Sequence, residues 1–160
     1  MRLIIIRHAV AVPHGTAGFA DEDRPLTPEG DAKFREAARG LARVFDRPDA
    51  LLTSPWLRAR QTAAIAGAAW KIEAKETPAL AGGTFAEQAA VLDAFPRDAT
   101  VVVVGHEPYV SDLLARLLGA RRSERLEFKK GGVAVVDLPG ALAEGGTLVA
   151  YLPPKVLRKI

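Results

Sequence analysis

The tripeptide Arg7-His8-Ala9 stands directly at the end of the apolar run Leu3-Ile4-Ile5-Ile6, and Gly105-His106-Glu107-Pro108 stands at the end of Val101-Val102-Val103-Val104. Both runs have the length and β-branched content of buried strands, so each strand delivers an imidazole to a sheet edge. Open α/β sheets bind ligands beyond the carboxyl ends of their strands, where two such imidazoles can face one ligand. Arg7 adds a guanidinium beside His8, and Arg58 adds a second near the start of a helix, where free amides already favour an anion. Guanidinium holds two oxygens of an oxyanion at once, so the ligand these residue types fit is a phosphoryl group. Imidazole, with an unperturbed pKa of ~6.5, is largely neutral and nucleophilic near neutral pH. His8 fits the nucleophile. Arg7 and Arg58 fit clamps on the phosphoryl oxygens, and His106 fits a further donor, as imidazolium or through one N–H.

Each element alone has a plainer reading. Arg7-His8 is then an edge or core pair, Gly105 to Pro108 a strand-to-helix turn, and Arg58, Arg60 and Lys71 a solvated helix face. His14 reads as a surface residue and Asp21-Glu22-Asp23 as a solvated loop. Their joint placement gives them weight, and that depends on the elements between them.

Residues 2–7 read as a buried strand, and 9–25 as a polar loop. Thr27-Pro28-Glu29 opens a helix, with Thr27 as N-cap and a buried face at Phe34, Ala37, Ala38, Leu41 and Phe45. A strand over 49–53 follows. Ser54-Pro55 repeats the cap-then-proline signal for a helix to about Ala69, and a short strand is expected near Ile72. Thr84 and Glu87 form a capping-box pair for a helix to about Phe95. A strand over 100–104, a helix over 109–118 stopped by Gly119, and strands near 132–137 and 147–152 complete the chain. Strands alternating with helices predict one α/β domain over 1–160, a mostly parallel central sheet flanked by helices on both faces.

Composition narrows the function classes. The 22 Lys and Arg against 19 Asp and Glu leave a charge of only +3, spread along the chain, and aromatic residues make up 6%. No basic stripe interleaved with aromatics is present to track a nucleic acid, so no nucleic-acid partner is expected. Without cysteine there are no disulfides or thiolate metal sites, and neither metal nor cofactor is expected. The N-terminal apolar run ends at Arg7, far short of a secretion signal or membrane span, so a cytoplasmic protein with no membrane partner is expected.

Taken together, Arg7-His8, the segment Ser54-Pro55-Trp56-Leu57-Arg58-Ala59-Arg60-Gln61-Thr62-Ala63, and Gly105-His106 resemble the histidine phosphatase superfamily. Asp23-Arg24-Pro25-Leu26-Thr27-Pro28-Glu29-Gly30 and Lys130-Gly131-Gly132-Val133-Ala134-Val135 narrow the resemblance to its SixA-type branch, the small phosphohistidine phosphatases. The likeness runs from Met1 to about Pro154. It implies a phosphoglycerate mutase-like fold, His8 as the residue phosphorylated, and Arg7, Arg58 and His106 as the phosphate pocket, with Arg60 structural. It also implies a role in signal transduction on a phosphohistidine-bearing protein, and a monomer.

Larger members of the superfamily carry a carboxylic acid before the second histidine to protonate a departing alcohol. The matching stretch here, Leu80-Ala81-Gly82-Gly83-Thr84, has none. A general acid is worth ~10²–10⁴-fold, and an alkoxide, of basicity comparable to hydroxide from water of pKa about 15.7, leaves poorly without one. An imidazole leaving group, with a conjugate-acid pKa near ~6.5, needs little help. The expected activity is therefore phosphohistidine hydrolysis on a protein through a phospho-His8 intermediate. Two alternatives stay open: a phosphatase for a small phosphorylated substrate, if Asp21, Glu22 or Asp23 folds over the pocket as an acid, and a non-catalytic phosphate-binding adaptor. Residues 153–160 read equally as a docked or a frayed tail.

Overall fold

A computed structural model describes residues 1–160. Six strands, β1 (Arg2–Arg7), β2 (Ala50–Thr53), β3 (Ala74–Glu76), β4 (Thr100–Gly105), β5 (Val133–Asp137) and β6 (Thr147–Leu152), form one sheet in the order β3-β2-β4-β1-β5-β6. The pairings among β3, β2, β4 and β1 are parallel, whereas β5 runs antiparallel to both its neighbours. The mostly parallel sheet expected from the alternation of strands and helices is present. β1 lies inside the sheet, and Leu3, Ile4, Ile5 and Ile6 are all fully buried, which is why that run is uninterrupted.

Helices α1 (Pro28–Val44), α2 (Leu57–Trp70), α3 (Phe85–Leu92), α4 (Tyr109–Leu117) and α5 (Pro154–Leu157) cover the two faces. Ile4 and Ile6 of β1 pack with Phe34, Leu41, Ala59, Ala63 and Leu157 beneath α1, α2 and α5. Leu3 and Ile5 pack the other way, with Leu92, Val110, Leu114 and Phe128 around α3 and α4. The strand's period of two thus feeds two separate cores, each isoleucine or leucine contributing roughly 1.5–3 kcal/mol by its burial.

Capping explains where the helices begin. The Thr27 hydroxyl accepts from the Gly30 amide at 2.9 Å, and the Thr84–Glu87 capping box is formed in full. Three boundaries differ from expectation. Helix α2 begins at Leu57 with Trp56 as its N-cap, and the Ser54 hydroxyl both accepts from the Trp56 amide at 3.3 Å and meets His106 Nε2. The strand expected near Ile72 lies at Ala74–Glu76; Lys71, at φ 57°, ends α2, and the Ile72 amide still bonds back to Gly67 at 2.9 Å. Helix α3 stops at Leu92 instead of about Phe95.

The C-terminal segment is docked. Leu157 is fully buried against α1, Arg43 donates to the Ile160 carbonyl at 2.8 Å, and a Cβ at position 40 would stand 1.9 Å from the Leu157 carbonyl oxygen. Gly40 therefore allows backbone to meet backbone where α5 crosses α1. No helix is long and apolar enough to cross a membrane.

Candidate active site

Strand order brings the chemistry together. β2, β4 and β1 are adjacent and parallel, and the Ser54 amide bonds to Val104 O while the His8 amide bonds to Gly105 O, each at 3.0 Å. Ser54, His106 and His8 therefore follow the carboxyl ends of three neighbouring strands, and the two imidazole rings stand 5.2 Å apart between centroids. They converge because Arg7 and Gly105 are register partners in the β1–β4 ladder.

His8 is 6% exposed, and its Nδ1 lies 2.7 Å from its neighbour's carbonyl oxygen, Ala9 O. A carbonyl only accepts, so Nδ1 carries the proton and Nε2 presents its lone pair. Arg58 Nε donates to that Nε2 at 3.3 Å. Burial pushes the imidazole pKa down to about 3; the bond to Ala9 works against this, and His106, Arg58 and Arg7 add repulsion. His8 is thus a neutral imidazole with its free nitrogen directed at a guanidinium.

Arg58 is 3% exposed on the first turn of α2, with Nη1 donating to Asp21 O at 2.6 Å and Nη2 3.5 Å from the Asp21 carboxylate. Its guanidinium lies over the Trp56 ring, 4.7 Å from the centroid, and that ring packs 4.8 Å from His106. Trp56 therefore fixes the plane of one and the tilt of the other. His106, 3% exposed, shares a 2.8 Å hydrogen bond between Nε2 and Ser54 Oγ, and its pKa falls to about 3, chiefly through burial and then through Arg58. Its Nδ1 is buried without a partner. Arg7 Nε is in the same condition, while Arg7 Nη1 donates to Phe128 O and lies 3.5 Å from Glu127. Buried polar groups are nearly always satisfied. Two unsatisfied nitrogens beside a bare imidazole nitrogen and a guanidinium form a donor set suited to the oxygens of one oxyanion.

The structure brings Arg7, His8, Arg58 and His106 to one sheet edge. It places Arg60 elsewhere: Arg60 is half-exposed and 3.5 Å from Glu76, on a cleft of about 550 Å³ along α2 and β3 that neither histidine lines. Other contacts were not assigned from the sequence, although the residues lie within the motifs. Thr62 accepts from the Ala9 amide at 3.0 Å and donates to Arg58 O at 2.7 Å, and Gln61 accepts from the Leu26 amide at 2.7 Å. Gly131, at φ 79°, donates to both Arg7 O and His8 O at 3.1 Å. These bonds lock the end of β1 between α2 and the segment leading into β5.

The acidic loop is not idle solvent-facing chain. Asp21 bonds His14 at 2.7 Å and Arg24 at 2.7 Å, and its carboxyl pKa is held down at about 2 by His14 first and then Arg24. It is an ion-paired carboxylate, which overturns its reading as a solvated residue and leaves it no proton to give near neutral pH. His14 is at the surface as expected, though paired. Glu22 and Asp23 are exposed on the same short 3₁₀ turn. Glu107 is committed too, bonded to Ser111 and to the Phe128 amide.

Comparison with known proteins places this geometry. The model of the histidine phosphatase superfamily (branch 1) matches residues 3–88. An uncharacterised protein of Picosynechococcus sp. is 32% identical over 139 residues, 83% of this chain and 82% of its own. Among solved structures, the protein histidine phosphatase SixA complexed with tungstate superposes with a TM-score of 0.82 at 29% identity, over 97% of this chain and 98% of that one. A protein assigned as SixA phosphohistidine phosphatase of Nakamurella multipartitia does so with 0.77 at 32% identity, over 96% and 95%. The fold is the phosphoglycerate mutase-like α/β domain, and the chain belongs to the histidine phosphatase superfamily, within its SixA-type branch.

Proposed function

We propose that this phosphatase removes the phosphoryl group of phosphohistidine carried on a protein, through a phospho-His8 intermediate and without a metal. The observation that carries the reading is the bare Nε2 of His8 set against Arg58, with Nδ1–H held on Ala9 O. Nε2 attacks phosphorus in line as the P–N bond to the substrate imidazole breaks, and that imidazole, protonated from solvent on its other ring nitrogen, leaves as the neutral ring. Arg58 Nε and Nη2, Arg7 Nε and His106 Nδ1 donate to the phosphoryl oxygens as charge develops on them. His106 Nδ1 can donate because Ser54 Oγ, accepting from the Trp56 amide at 3.3 Å, has its own proton free for His106 Nε2. Water then attacks the phosphorus of phospho-His8, releasing inorganic phosphate and restoring the neutral imidazole. One domain over 1–160, a monomer, a cytoplasmic location and a part in signal transduction accord with this reading.

Leaving-group chemistry supports phosphohistidine over an alkyl ester. Asp21 is held as a carboxylate and Glu107 is bonded on both oxygens, so neither supplies the acid an alkoxide requires. One observation favours the alternative of a small-molecule phosphomonoesterase: Glu127 is largely exposed, 3.5 Å from Arg7 Nη1.

The test compares kcat/KM for a phosphohistidine-bearing phosphotransfer protein with that for an alkyl phosphomonoester, with chelator present and His8→Ala as blank. A preference for phosphohistidine that vanishes in His8→Ala, and that Glu127→Gln leaves standing, is the expected result. A preference for the ester, lost in Glu127→Gln, establishes the phosphomonoesterase. Phosphate binding without turnover of either substrate establishes an adaptor.

A further inference from the structure

The pocket collects more positive charge than the four residues discussed so far. Arg24, 12% exposed in its side chain, packs behind Asp21, and Lys130 has its pKa lowered by burial and then by Arg7, Arg24 and Arg58. Four cations around one bound phosphate would hold the product as firmly as the substrate, and tight product binding limits turnover. Two carboxylates stand among them, Glu127 beside Arg7 and Asp21 beside Arg58. Asp21 is the single acidic side chain within ion-pair distance of Arg58, and also of Arg24.

The contacts divide between two parts of this residue. Its backbone carbonyl takes Arg58 Nη1 at 2.6 Å, which leaves the Nε and Nη2 edge of the guanidinium turned to the phosphoryl site. Its carboxylate holds Arg24 at 2.7 Å and stands 3.5 Å from Arg58 Nη2, too long for a full hydrogen bond and close enough to compete for that N–H. The loop bearing it is anchored at both ends, by the Ala11–Leu26 bridge, by the Val12 amide on Pro25 O at 2.9 Å, and by Arg24 Nη1 on Val12 O at 2.6 Å.

We infer that Asp21 is a positioning residue that sets the pocket's affinity for free phosphate: its carboxylate competes with bound oxyanion for Arg58 and so speeds release of the product. The inference rests on the phosphatase reading. A dianion sharing Arg58 with a fixed negative charge a few ångström away is repelled by it, and once the product begins to leave, the carboxylate takes Nη2 back. A covalently attached phosphoryl group feels the same repulsion but cannot depart, so the effect falls on the product.

Asp21→Asn separates the two parts, since it removes the charge and keeps the backbone carbonyl. Titration calorimetry with inorganic phosphate should show binding tightened roughly tenfold, the scale of one unit charge acting on a dianion at this range in water. Steady-state kcat and KM should fall together, with Asp21→Glu restoring both. A residue that merely supports the loop would instead weaken phosphate binding and raise KM. Asp21→Ser repeats the comparison if the Asn variant melts early. Phosphate affinity unchanged or weaker in Asp21→Asn and Asp21→Ser, with binding still abolished by Arg58→Ala, overturns the role of Asp21 and leaves the phosphatase intact. Phosphate affinity indifferent to Arg58→Ala overturns the pocket itself.

Discussion

Ser54 reaches the site only through His106. With the hydroxyl removed, His106 Nε2 is a buried nitrogen without a partner, and the proton on Nδ1 is no longer assured. Ser54→Ala should lower kcat/KM roughly 3- to 10-fold, the usual worth of one such hydrogen bond, and should lower the melting temperature by roughly 2–4 °C for each kcal/mol that the unpaired buried nitrogen costs. In a His106→Ala background the same change should cost nothing further, and additive losses would show that Ser54 acts by another route. At this scale, the sequence made His8, Arg58 and His106 legible because strand ends and a helix start announce themselves locally. It did not reveal that Asp21 reaches 37 residues ahead to Arg58, or that Ser54 reaches 52 ahead to His106. Both lie in segments already singled out. Their partners depend on which strands become neighbours.

Among the elements, the crossing of α5 over α1 makes an opposite-sign pair of outcomes. Alanine is a better helix former than glycine by about 1 kcal/mol, yet a Cβ at residue 40 would collide with Leu157 O. Gly40→Ala should therefore destabilise the whole chain by roughly 1–3 kcal/mol, and should stabilise a chain shortened to end at Pro153. Urea midpoints of the four proteins check this, and a loss in both backgrounds would place the strain elsewhere. The docking of this tail was undecidable from Pro153 onward, because Leu157 alone is a weak apolar signal. The start of α2 lies two residues beyond the expected Pro55. Serine before proline announces a cap, and Ser54 Oγ does accept from the Trp56 amide, but a histidine 52 positions later shares the same hydroxyl.

For the whole molecule, two buried neutral imidazoles tie stability to acidity. Each has a folded pKa of about 3 against ~6.5 unfolded, so the unfolded chain binds more protons between those values. Stability is complete above about pH 6.5 and falls as pH drops toward 3, by up to ~1.4 kcal/mol per unit for each imidazole. The decline should begin well above the carboxylate range, and inorganic phosphate should oppose it, since a bound oxyanion favours the protonated rings. Urea midpoints from pH 8 to 4, with and without phosphate, test this; a curve flat down to pH 4.5 would mean the rings are not held neutral. The two-faced sheet and its parallel core were readable from Leu3–Ile6 and Val101–Val104. The reversal of β5 was not, as the four buried residues Val133 to Val136 look alike in either direction.

His8 and His106 extend from rungs of one ladder, Arg7 opposite Gly105, rather than from loops free to breathe. The site therefore belongs to the most slowly exchanging part of the molecule, while the strap carrying Asp21 is tied down by a handful of surface bonds. Substitution is channelled accordingly. The exposed stretches 13–20 and 119–125 can vary and redraw what enters the pocket, whereas Ala9, Asp21, Phe128 and Gly131, bonded to the site, are held together with the two imidazoles.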